Sequence, residues 1–237
     1  MSTFEFKQFS ITQANTTMKV GTDAMVLGAL IKTDGKSSGL DIGSGTGILS
    51  LMLAQRNEHI LIDAIEIDGP ASVEASANFH RSNWGNRLHQ IHGSFLEMDV
   101  SKSYDLIFSN PPYHQDSLLN DDDRKARARH EAFLPLNELV EKAASLLTDS
   151  GDFWIIVPSD TAENWISSCQ KSGLSVLHKI KVFGKEGGGM KRLILNFCRA
   201  EQVIIASEIT IRDTKNNYTA EYIKLTKEYH ATDLAKD

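Results

Sequence analysis

The sequence predicts an α/β fold: a mostly parallel sheet with helices on both faces and an antiparallel strand at one edge. Three observations carry this. Short apolar runs alternate with segments of helical period, as in a parallel sheet built from strand-helix-strand units. A glycine turn, Gly43-Ser44-Gly45-Thr46-Gly47, joins an apolar run to a helical pattern. Near the end, Leu174–Val182 and Leu193–Cys198 follow one another with no helix between them, which reverses the chain direction.

The elements follow in order. A strand at 38–42 enters the glycine turn, and Ile48–Ala54 continues as a helix. Ile60–Ile67 reads as a buried strand, followed by a helix over 70–83 opened by Asp68 and Pro70. Leu88 and Ile91 mark a strand at 87–92, and Tyr104–Ser109 is the next. Leu136, Leu139, Val140, Ala143, Ala144, Leu146 and Leu147 recur at helical spacing, so 135–148 is a helix with Pro135 early and Gly151 after it. Phe153–Val157 is a strand stopped by Pro158, and the helix over 160–172 ends at Gly173. The organisation is one domain, with an N-terminal segment at 1–39 folding over the ligand, a core at 40–200 and an extension at 201–237.

Composition narrows the function classes. A chain of 237 residues with 41% hydrophobic content can bury one substantial core. Only Cys169 and Cys198 are present, without partners at metal-ligand spacing, so buried free thiols are expected and neither disulfide nor metal. No apolar run approaches the roughly twenty residues of a membrane span, and the N-terminus lacks a secretory apolar stretch, so no membrane role and a cytoplasmic location are expected. The net charge of −6 argues mildly against nucleic acid. Phosphate affinity depends on local clusters, however. Arg124, Lys125, Arg127 and Arg129 form one, blunted by Asp121-Asp122-Asp123; Lys179, Lys181, Lys185, Lys191 and Arg192 flank Gly187-Gly188-Gly189 as another.

The chemistry is concentrated in two motifs. In Asn110-Pro111-Pro112-Tyr113, a carboxamide oxygen and a backbone carbonyl fixed by proline can together accept both hydrogens of a planar NH2 group. The ring of Tyr113 can stack on whatever flat system carries that amine. The glycine turn runs G-x-G-x-G, not the G-x-G-x-x-G of dinucleotide sites, since Ile48 takes the third glycine's place. Asp41, two residues before it, would repel a pyrophosphate and attract a cationic amine. S-adenosylmethionine, with an ammonium, a sulfonium and no phosphate, fits Gly43, Ser44, Gly45 and Gly47 better than a dinucleotide. Glu66 stands about twenty residues further on, where a carboxylate accepts ribose hydroxyls, with Ile67 next to it. Asp68 could do this instead, or cap the helix that follows.

The order of glycine turn, Glu66 and Asn-Pro-Pro-Tyr resembles the class I S-adenosylmethionine-dependent methyltransferases that act on amino groups. Phe6-Lys7-Gln8-Phe9, Met18–Ala29, Ala128-Arg129-His130-Glu131 and Tyr218–Tyr222 are similar to the bacterial tRNA(Val) adenine-N6-methyltransferases, along the length of the chain. The resemblance implies a Rossmann-like sheet of seven strands, S-adenosylmethionine as cofactor, and methylation of adenine 37 in tRNA(Val) by a monomer. It places Lys19, Thr22 and Asp23 near the methionine end of the cofactor, with a helix N-cap at Thr22 or Asp23 as the competing explanation. Ser94 stands where many relatives carry an Asp that accepts from the cofactor adenine, and Phe95 either flanks that adenine or is plain core. The basic clusters become candidate RNA contacts. The same clamp would also grip a glutamine side chain in a protein, or adenine in another RNA or DNA. A non-catalytic RNA-binding module is the remaining class.

Overall fold

A computed structural model gives the fold and describes residues 3–14, 19–99, 101–111 and 135–234. Its centre is an eight-stranded sheet in the order β10-β8-β9-β7-β6-β3-β4-β5. The strands are β3 (Ser38–Ile42), β4 (Leu61–Glu66), β5 (Leu88–His92), β6 (Tyr104–Ser109), β7 (Leu147–Pro158), β8 (Ser175–Lys185), β9 (Met190–Cys198) and β10 (Ile205–Arg212). A small antiparallel hairpin, β1 (Thr3–Glu5) and β2 (Ser10–Thr12), precedes them. Helices α1 (Thr22–Leu30), α2 (Ile48–Arg56), α3 (Gly69–Arg81), α4 (Leu136–Leu146), α5 (Ala162–Lys171) and α6 (Ala220–Thr226) complete the described chain.

The predicted α/β class and mostly parallel sheet are borne out, with two differences. The sheet has eight strands rather than seven, because β10 pairs in parallel with β8. The reversed strand, β9, is not the edge strand expected: it lies inside the sheet, antiparallel to both β7 and β8, because β8 crosses over to pair on its far side, and β10 takes the edge. The physical reason is visible in β10 itself. Residues 205–208 are exposed, and only Ile209 and Ile211 turn into the core, so the apolar alternation that signals a strand is short.

The sheet is buried on two sides. One face, with Ile62, Leu106, Phe108, Trp154 and Ile194, packs under α1, α2 and the N-terminal hairpin. The other, with Leu40, Ile107, Phe153, Ile155 and Leu195, packs under α4 and α5. Each fully buried large apolar side chain contributes about 1.5–3 kcal/mol. Helix α1 escapes a periodicity reading because Ala24–Gly28 are buried all round. Its C-terminal carbonyls are satisfied at a distance in sequence, by the Arg56 guanidinium donating to Gly28 O, Ala29 O and Ile31 O. Cys169 and Cys198 are buried free thiols, and burial pushes Cys169 up to about 12.

Candidate active site

Parallel pairing brings the two sequence motifs together. Ile42 of β3 is paired with Ser109 of β6 and with Ile65 of β4, so all three strands end at one rim. Ser109 Oγ donates to Ile42 O at 2.7 Å, fixing that junction. Asn110 and Pro111 follow immediately, half-buried, beside the glycine turn. Pro112 and Tyr113 lie outside the described residues, as do Arg124, Lys125, Arg127, Arg129, His114 and His130.

The turn is built on backbone that L side chains rarely adopt. Gly43, Gly45 and Gly47 have φ of 69°, 53° and 79°. A Cβ would meet nothing within 4 Å at Gly43 or Gly45, leaving the backbone open to a ligand, whereas at Gly47 it would lie 2.3 Å from the Phe79 ring. Gly43 and Gly45 thus face a ligand's space, while Gly47 admits α3 to the turn. The Gly43 and Ser44 amides donate to Ile65 O at 2.9 and 3.1 Å. Ser44 is buried and its hydroxyl donates to Gln90 Oε1, so only its backbone belongs to the turn.

Two carboxylates border the turn. Asp41 is 1% exposed; its Oδ2 accepts from Ser50 Oγ at 2.7 Å, and its Oδ1 is buried with no hydrogen-bond partner among the described residues. Burial pushes this carboxyl up to about 7, and the charge of Glu66 adds to the effect. Such a shifted, half-satisfied acid is a candidate site residue. Glu66, at the tip of β4, accepts the Gly45 amide at 2.8 Å and the Asp68 amide at 2.9 Å. Asp68 occupies the N-cap of α3, yet its side chain makes no capping bond. Ile67 is exposed beside it. An open glycine cradle, an orphaned buried carboxylate oxygen and a carboxylate at the neighbouring strand tip fit a cationic nucleoside ligand such as S-adenosylmethionine.

The remaining candidates divide. Ser94, half-buried, stands at the rim one residue beyond Gly93, whose amide bonds to Glu66 O at 2.9 Å. Phe95 is 3% exposed, in the cluster under α4. Beside this rim, a groove of about 490 Å³ runs along β4 and β5. In it Lys102 and Tyr104 donate to Asp63 and, against the effect of burial, hold its carboxyl below the usual range.

Lys19 and Thr22 are exposed ahead of α1 and in its first turn. The N-cap is Gly21, so neither Thr22 nor Asp23 caps the helix. Asp23 instead accepts from Arg192 Nε at 2.8 Å, a pairing across 169 residues that no local pattern signals. Because β9 runs backwards, Arg192 lies opposite Pro158 at the same rim as the glycine turn. Lys185 lies opposite Arg212 at that rim, and Lys185 and Lys191 are exposed. A further unpredicted residue is Asn78, buried in α3 and bonded to the carbonyl of Thr46.

Fold and rim together define a Rossmann-like class I methyltransferase. The profile of the methyltransferase small domain family matches residues 13–166. A tRNA1(Val) (adenine(37)-N6)-methyltransferase from Bacteroides fragilis is 36% identical over 230 residues, covering 96% of this chain and 97% of its own. One of the same name from Flavobacterium johnsoniae is 39% identical over 231 residues, covering 96% and 98%. The chain belongs to this family, the bacterial tRNA(Val) adenine-37 N6-methyltransferases of the methyltransferase small domain. Among solved structures, a predicted O-methyltransferase from Agrobacterium tumefaciens superposes with TM-score 0.70 at 14% identity, covering 89% of this chain and 98% of that one. A putative RNA methyltransferase from Pyrococcus horikoshii gives 0.54 at 17% identity, covering 76% and 82%. These likenesses concern the fold.

Proposed function

We propose that this protein methylates the exocyclic N6 of adenine 37 in tRNA(Val), with S-adenosylmethionine as donor. The observation that carries the proposal is the shared rim: Ile42 and Ser109 are paired, so the glycine turn and Asn110-Pro111 open on one space. The relatives named for this reaction, aligned over 96% of the chain, support the same reading.

The residues then have separable tasks. Gly43, Gly45, Asp41 and Glu66 would hold the donor, with Lys19, Thr22, Ile67 and Ser94 around it. S-adenosylmethionine, when bound, supplies an electrophilic methyl group on a sulfonium. Adenine N6 is a poor nucleophile because its lone pair is delocalised into the ring. Asn110 Oδ1 and the Pro111 carbonyl would accept its two N–H bonds, turning the lone pair out of the ring and stabilising positive charge that develops on nitrogen. Holding the nitrogen in line at near-attack distance can supply several kcal/mol of the barrier. As the N–C bond formed, the methyl–sulfur bond would break with its electron pair left on S-adenosylhomocysteine, and the nitrogen, now acidic, would release one proton to solvent. Tyr113 would stack on the base, and an anticodon-loop base is cheaper to extrude than a paired one. Lys185, Lys191 and the Arg124–Arg129 run would contact phosphates.

Incubation with methyl-labelled donor and separate pools of tRNA, DNA and protein tests the assignment. Label should enter tRNA alone, as N6-methyladenosine at position 37. Label in a glutamine side chain or in DNA would overturn it.

A further inference from the structure

We infer that Asn78 is a positioning residue of the donor site, a latch that fixes the N-terminal strand β2 and the glycine turn to each other. This rests on the reading that S-adenosylmethionine lies over that turn. Asn78 is wholly buried in α3. Asparagine is a poor choice for a buried helical position, because it has weak helix propensity and its amide costs free energy to desolvate unless every group is bonded. Here the amide is fully used. Its Oδ1 accepts the Thr12 amide at 3.0 Å and Arg81 Nη2 at 2.5 Å. Its Nδ2 donates to Thr12 O at 3.1 Å and to Thr46 O at 2.9 Å. One planar group thus joins β2 to the carbonyl that immediately precedes Gly47.

The surrounding contacts act in the same direction. Phe79, the next residue of α3, fills the space above Gly47, so the helix meets the turn by packing as well as by hydrogen bond. Glu74, one helical turn before Asn78 on the same face, accepts the Ala14 amide at 2.6 Å. Gln13 Oε1 accepts the Val20 amide at 2.8 Å, carrying the restraint to the start of α1, where Thr22 and Asp23 stand. The stripe Glu74, Asn78 and Arg81 therefore sets where the N-terminal segment lies relative to the turn. Losing the Nδ2 donor frees the carbonyls of Thr46 and Thr12 together.

The test compares Asn78→Asp, which keeps the shape but puts an oxygen against two carbonyls, with Asn78→Ser, a milder truncation that serves if the first does not fold. Val176→Ala, in the core on the opposite face of the sheet, controls for lost stability. Affinity for S-adenosylhomocysteine is measured by calorimetry, and amide exchange is followed in 10–14 and 43–47 without ligand. The Asn78 variants should bind about tenfold more weakly, the effect of one lost positioned hydrogen bond, and exchange should rise in both segments together. Val176→Ala should stay within about twofold of the parent affinity at a comparable loss of melting temperature. Parent-like affinity in a folded Asn78 variant, or exchange rising in 10–14 alone, overturns the latch. Failure of the unmodified protein to bind S-adenosylhomocysteine would instead sink the donor-site reading, and the ligand-free exchange would still judge the latch.

Discussion

Arg192 Nε donates to Asp23 Oδ2 at 2.8 Å, joining the first turn of α1 to the reversed strand β9. Both side chains are about a quarter exposed, so the pair contributes at most about 1 kcal/mol. Its larger consequence is that this part of the guanidinium is occupied. Lys185→Ala and Lys191→Ala should each reduce the salt dependence of tRNA binding by about one unit of slope, whereas Arg192→Ala should change it less. Binding titrations over a range of salt concentrations check this, and an equal change for Arg192 would mean that it also reaches phosphate.

Asp41 links the donor site to pH. Its carboxyl is raised from 3.8 to about 7 in the folded chain, chiefly by burial. An acid raised in this way favours folding fully below its unfolded value, and that contribution is lost as pH rises through about 7. Asp41→Asn should therefore flatten the fall in melting temperature between about pH 4 and 7, and melt roughly 5 °C higher than the parent at the upper end. The same variant should bind S-adenosylhomocysteine at least about tenfold more weakly. A parent-like pH profile in the variant would remove Asp41 from this role.

Gly45→Ala and Gly47→Ala should fail for different reasons. Both have positive φ, but only at Gly47 would the new methyl run into Phe79. Gly47→Ala should cost about 3 kcal/mol or more in thermal or urea unfolding. Gly45→Ala should cost about 1–2 kcal/mol, for strain alone, while losing most donor affinity. Equal destabilisation would contradict the division of roles.

Asn110→Ala should abolish methyl transfer, lowering kcat by about a thousandfold or more, the scale of a lost transition-state acceptor. Affinity for S-adenosylhomocysteine should stay nearly unchanged. Calorimetry and single-turnover kinetics separate the two quantities, and substantial residual turnover would refute the role of Asn110.

What was legible in the sequence depended on how local its signal was. The strands at 38–42 and 104–109 coincide with β3 and β6 to the residue, because each is an apolar run cut off by a glycine turn or a proline pair. The neighbourhood of their tips followed from strand-helix alternation alone. Helix α1 and strand β10 carry no clean period, one buried all round and the other half exposed, so their extents are not legible in the sequence. Asn78 and the Asp23–Arg192 pair depend on contacts between distant segments. A buried asparagine in a helix was the one local hint, and it is intelligible only once β2 lies against it.

The reversed course of β9 has a practical side. β8 brings the chain to the working rim and β9 takes it away again, so residues 186–189 form a short exposed turn there. That turn belongs to no strand tip that borders the glycine cradle. Loops of other lengths and charges grafted there should therefore leave donor affinity as it is, so the turn can be rebuilt without touching the small-molecule end of the rim.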